Sequence, residues 1–74
     1  MSITDLEALA QSIYHYIRKY IAENEYAPSY REIAQHFGVA KSSVQRRIDI
    51  LVGAGLLDRV DNQPRSLSIP EHRD

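Results

Sequence analysis

The stretch Ser29-Tyr30-Arg31-Glu32-Ile33-Ala34-Gln35-His36-Phe37-Gly38-Val39-Ala40-Lys41-Ser42-Ser43-Val44-Gln45-Arg46-Arg47-Ile48-Asp49-Ile50-Leu51 carries two short helical patterns. Ser29 and Glu32 stand at the spacing of a capping box, in which the serine hydroxyl and the glutamate carboxylate each take an orphan amide at a helix start. Ile33, Ala34 and Phe37 follow as the buried positions of a brief helix. Gly38 ends it, because glycine tolerates the left-handed backbone that a helix terminus needs. After the tight Gly38-Val39-Ala40 turn, Val44, Ile48 and Leu51 recur at i, i+4 and i+7 and define the buried face of a further helix from about Lys41 to Val52. Two helices joined by so short a turn make a helix-turn-helix.

On the N-terminal side, Thr4-Asp5-Leu6-Glu7 has the same capping-box spacing and predicts a first helix from there to about Asn24. Its apolar stripe is Leu6, Leu9, Ala10, Ile13, Ile17, Tyr20 and Ile21, with Gln11, His15, Arg18 and Glu23 facing elsewhere. Pro28 interrupts the pattern, since it lacks an amide hydrogen and disfavours helical geometry in Ala27. On the C-terminal side, Gly53-Ala54-Gly55 stops the third helix. Leu56–Val60 and Ser66–Ile69 are short β-prone runs joined by the turn-rich Asp61-Asn62-Gln63-Pro64-Arg65, which reads as a hairpin. The predicted fold is mainly α: a three-helix winged helix-turn-helix with a C-terminal two-stranded β-hairpin wing, over residues 1–69, followed by a polar tail over 70–74.

Seventy-four residues make one domain, too short for a second, catalytic one. A hydrophobic fraction of 43% against 26% charged residues reads as an ordinary globular chain and excludes a disordered one. The chain has no cysteine, so the core must stabilise it without disulfides or thiolate-bound zinc. No apolar run reaches membrane-spanning length, and the first residues lack the basic-then-apolar pattern of a signal peptide, so a cytoplasmic, nucleoid-associated place is expected and no membrane partner.

The net charge of −1 argues mildly against a nucleic-acid binder, but its distribution argues the other way. Between Gly38 and Gly55, Lys41, Arg46 and Arg47 against Asp49 leave a surplus of two positive charges, whereas the flanking segments are neutral or acidic. Opposite the buried face of the third helix lie Ser42, Arg46, Asp49 and Ile50, flanked by Lys41, Ser43 and Gln45, with Arg47 toward the edge. A major groove admits one helix, and donors and acceptors of this kind read its base edges. Arg46 and Gln45 are the expected readers. Ser29, Tyr30 and Arg31 stand at the start of the second helix, where free amides and the positive end of the helix dipole suit a phosphate. Gln63, Arg65 and Ser66 belong to the hairpin tip, with Arg65 the expected anchor on the backbone or an adjacent groove. The partner implied is double-stranded DNA. The plainer alternative for Lys41, Arg46 and Arg47 is a solvated helix face.

Other residues point to less. The five tyrosines Tyr14, Tyr16, Tyr20, Tyr26 and Tyr30 read as packing against the first helix's stripe rather than as a stacking platform for single strands. His15, His36 and His72 lack metal-ligand spacing, and no nucleophile has a base in register. No enzyme activity, no cofactor and no small-molecule ligand is therefore expected. Ile50 and Val52 are apolar where a reading helix more often carries charge. They are either isolated exposed residues or a contact surface for a second copy or another protein, and the latter keeps open a winged helix that serves assembly instead of DNA.

Tyr26-Ala27-Pro28-Ser29-Tyr30-Arg31-Glu32-Ile33-Ala34-Gln35-His36-Phe37-Gly38-Val39 is similar to the second-helix signature of the LexA-repressor DNA-binding domain. Gly55-Leu56-Leu57-Asp58-Arg59 through Asn62-Gln63-Pro64-Arg65-Ser66-Leu67 resembles that family's wing, and the resemblance spans roughly residues 6–69. Gly38 to Val44 also looks like the turn and third-helix start of GntR-type winged-helix repressors. Ala40 stands where such relatives often have a capping serine, at a cost of roughly 1 kcal/mol if neither Ser42 nor Ser43 takes over. The resemblance implies operator binding in bacteria or phages, as a repressor, with a homodimer formed at least on DNA. The self-cleaving Ser-Lys protease domain of LexA repressors is not among these residues, so autocleavage is not expected of them.

Overall fold

Helical periodicity becomes packing through a handful of branched apolar side chains. The computed structural model describes residues 6–59 and 67–70. Its elements run α1 (Ala8–Asn24), α2 (Tyr30–Phe37), α3 (Lys41–Gly53), β1 (Asp58–Arg59) and β2 (Leu67–Ser68). Three helices and an antiparallel two-stranded hairpin form the winged helix-turn-helix expected from the spacing of Ile33, Gly38 and Val44. α3 lies against both α1 and α2, so its inner face is fixed from two sides.

The core is built from Ala10, Ile13, Tyr14 and Ile17 of α1, Ile33 and Ala34 of α2, and Val44, Ile48 and Leu51 of α3. Ala27, Leu57 and Leu67 close it from the loop and hairpin sides. Each fully buried Ile or Leu stabilises the fold by about 1.5–3 kcal/mol relative to an exposed one. With no buried charged side chain among the described residues, apolar burial carries the stability.

The helix ends differ in how well they are capped. α2 has the full reciprocal box: Ser29 Oγ accepts from the Glu32 amide at 3.1 Å, and Glu32 Oε1 accepts from the Ser29 amide at 2.9 Å. Gly38 then takes φ 67°, and the Val39 amide reaches back to the Ala34 carbonyl at 3.1 Å. At the end of α3 the C-cap Ala54 stays right-handed, and it is the next residue, Gly55, that takes φ 78°, with the Leu56 amide on the Leu51 carbonyl at 2.9 Å. Any Cβ-bearing residue would meet strain at either glycine.

Four sequence expectations need correction. α1 begins at Ala8, not at the Thr4 box: Glu7 is its N-cap in extended conformation and makes no side-chain cap bond. The Glu7 carboxylate is taken by Arg47 of α3, and Gln11 Nε2 bonds the Leu6 carbonyl at 2.7 Å instead. Phe37, expected in the core, is half-buried and packs edge-on against Tyr16. α3 continues through Gly53, with Ala54 as its C-cap. The strands are two residues each, shorter than the β-prone runs, with Asp58 opposite Ser68 and Arg59 opposite Leu67.

Candidate nucleic-acid interface

α3 divides its side chains cleanly. Val44, Ile48 and Leu51 are fully buried, which fixes the rotation of the helix and leaves Lys41, Ser42, Gln45, Arg46, Asp49 and Ile50 on exposed positions. The side chains of Lys41, Ser42, Gln45 and Arg46 make no hydrogen bond or ion pair among the described residues, which leaves four polar groups facing solvent. Ser42, Ser43, Arg46 and Arg47 line a shallow concavity of about 240 Å³ at the N-terminal half of the helix.

Arg47 and Asp49 are engaged within the chain. Arg47 Nε donates to Glu7 Oε1 at 2.5 Å and Nη2 to Oε2 at 3.4 Å, a fork of the kind a planar guanidinium makes with a carboxylate. Arg47 Nη1 also donates to Ser43 Oγ at 2.8 Å. Ser43 is therefore spent on Arg47 and does not cap α3, whose N-cap Ala40 makes no side-chain bond. Asp49 Oδ1 is 2.5 Å from Nη1 of Arg59 in β1. The same Nη1 lies 3.5 Å from the Tyr30 hydroxyl. These bonds hold the Arg59 guanidinium above the usual arginine range, the Tyr30 contact first and Asp49 second.

At the start of α2 the capping box has already used the Ser29 and Glu32 amides. Glu32 Oε2 accepts from the Tyr20 hydroxyl at 3.2 Å, so a carboxylate sits at this helix end. The Tyr30 and Arg31 amides are the ones the box does not use, and the Arg31 side chain is exposed. Gln63, Arg65 and Ser66 lie outside the described residues. The structure thus groups Lys41, Ser42, Gln45 and Arg46 on one helix face and joins Tyr30 to Asp49 through Arg59. Sequence reasoning passed over Arg59, because its partners are 10 and 29 residues away in the chain and no local pattern marks the contact.

The tyrosines separate by role. Tyr14 is in the core, and Tyr26 is 50% exposed. Tyr16 stacks on His36 with ring centroids 4.2 Å apart, beside an open α1–α2 groove of about 480 Å³. Burial, and after it the nearby Glu32 carboxylate, push the Tyr16 phenol above its ordinary pKa. Among the described residues no three His, Asp or Glu side chains converge as a metal cluster would require, and no helix is long and apolar enough to cross a membrane.

Comparison with known proteins places this arrangement. Residues 3–66 match the family model described as the LexA DNA binding domain. The LexA repressor of Oleidesulfovibrio alaskensis is 32% identical over 68 residues, covering 92% of this chain and 33% of the repressor. LexA repressor 2 of Pseudomonas putida is 40% identical over 62 residues, covering 82% of this chain and 31% of its own length. A Listeria monocytogenes LexA repressor is 40% identical over 60 residues, covering 80% and 29%. The chain spans about a third of the length of these relatives, and the family model that it matches is that of a DNA-binding domain. With three helices, a wing hairpin and a family match over 3–66, the chain belongs to the LexA DNA-binding-domain family.

Proposed function

We propose that residues 1–69 form a sequence-specific double-stranded-DNA-binding module of a bacterial or phage transcription regulator acting as a repressor at the nucleoid, with 70–74 a polar tail. α3 enters the major groove, where Arg46 and Gln45 read base edges and Lys41, Ser42 and Ser43 contact bases or flanking phosphates. Ser29, Tyr30 and Arg31 set register on the backbone, and the wing residues Gln63, Arg65 and Ser66 brace it. Arg47 and Asp49 serve the same surface from its edges through their bonds to Glu7 and Arg59. The observation that carries this reading is the row of polar side chains on α3 that have no partner among the described residues, backed by a fully buried opposite face.

A surplus of so few positive charges favours weak binding by one copy and useful affinity from two copies on one duplex. Selection from a randomised duplex pool tests the reading: enrichment of a defined site, palindromic if two copies bind, is expected, whereas a pool that stays random after repeated rounds would sink it. Ile50, 39% exposed on α3, favours a second reading as an assembly surface for another protein. That reading predicts partner binding untouched by Arg46→Ala.

A further inference from the structure

Arg59 occupies a position that no local pattern assigned. It is the second residue of β1, and its guanidinium bridges two residues of the expected DNA face: Asp49 on α3, 2.5 Å away, and Tyr30 at the start of α2, 3.5 Å away. Both contacts use the same nitrogen, Nη1. Nε and Nη2 are left without a partner among the described residues, and the side chain is 33% exposed. A guanidinium carries five donors in a planar fork, so a carboxylate on one nitrogen leaves an edge that matches two phosphate oxygens.

We propose that Arg59 contacts a DNA backbone phosphate, with Asp49 and Tyr30 as the positioning residues that hold its free edge toward the duplex. The inference rests on the DNA-binding reading above and deepens it. A lone Asp49 carboxylate, 58% exposed on the reading helix, would repel the polyanion, and the bond to Arg59 cancels that charge locally. An exposed ion pair between flexible side chains stabilises a fold by little, about 0–1 kcal/mol, so stability alone is a poor reason for the triad. And the three residues come from α2, α3 and the wing, so a phosphate held there would be read in register with all three elements.

Because a phosphate contact is independent of sequence, a random-sequence 20-base-pair duplex suffices as probe. Its affinity is measured by NMR titration or fluorescence anisotropy across a salt series for the wild-type chain, Arg59→Gln, Arg59→Lys and the double variant Arg59→Gln/Asp49→Asn, with thermal melts to confirm that each is folded. Arg59→Gln is expected to weaken binding roughly three- to tenfold at low salt and to reduce the slope of log K against log salt by about one. Arg59→Lys is expected to keep the slope and to regain only part of the affinity, since a point charge lacks the fork. The double variant is expected to remain weak. A wild-type slope in Arg59→Gln overturns the proposal, as does recovery of the double variant to within about twofold of wild type, which would make Arg59 only a shield for Asp49. Failure of the wild-type chain itself to bind any duplex would instead overturn the DNA-binding reading.

Discussion

Arg46 and Arg47 are neighbours in the chain with the same side chain, and the fold gives them different work. Arg47 is tied to Glu7 and Ser43, whereas Arg46 has no partner among the described residues and stands exposed on α3. Arg46→Ala is therefore expected to leave the melting temperature unchanged and to weaken binding to a selected site by roughly 1–3 kcal/mol, about five- to 150-fold, as read by anisotropy. Tyr16 couples folding to pH. Burial and the Glu32 carboxylate raise its pKa in the folded chain, so the folded state keeps the phenolic proton at a pH where the unfolded chain has lost it. Stability from this group is complete below tyrosine's ordinary pKa of about 10 and is lost as pH rises through the higher folded value. Thermal melts from pH 9 to 11 should fall more steeply for the wild-type chain than for Tyr16→Phe; parallel curves would show that Tyr16 does not titrate differently on folding.

At the level of elements, capping sets which helices are secure. α2 has both halves of its box, so Ser29→Ala is expected to cost about 0.5–2 kcal/mol. α3 has no side-chain cap, since Ala40 offers no oxygen and Ser43 is committed to Arg47. Ala40→Ser should stabilise the domain by about 1 kcal/mol, or roughly 4–8 °C in Tm for a chain this size. An unchanged or lower Tm would mean that the α3 start is satisfied in another way. Ile48→Ala, which empties a fully buried site beneath the exposed face of α3, should cost about 2–5 kcal/mol and abolish binding by loss of the fold. The helix-turn-helix was legible because its signals are local: the Ser29–Glu32 box, Gly38, and the i, i+4, i+7 spacing of Val44, Ile48 and Leu51. The true start of α1 was not, because the Glu7 carboxylate bonds a residue 40 positions away instead of its own helix end. The Arg59 bridge was hidden for the same reason: pairing across elements leaves no mark on local periodicity.

Taken whole, the molecule places its positive surplus on one helix of an otherwise neutral to acidic chain. Distribution, not net charge, decides what such a surface can approach. One copy presents one helix, so two copies are expected to bind a duplex with inverted half-sites about one helical turn apart more tightly than either half-site alone, with a cooperative isotherm in sedimentation or anisotropy. Equal affinity for single and paired half-sites would argue for a monomeric reader. The central claim is that the exposed face of α3 touches DNA, and an NMR titration of the labelled chain with mixed-sequence duplex at low salt, repeated at higher salt, tests it most directly. Amide shifts concentrated at Lys41–Arg46 and Ser29–Arg31 that fade as salt rises are predicted, whereas an α3 left unperturbed by saturating duplex would contradict it.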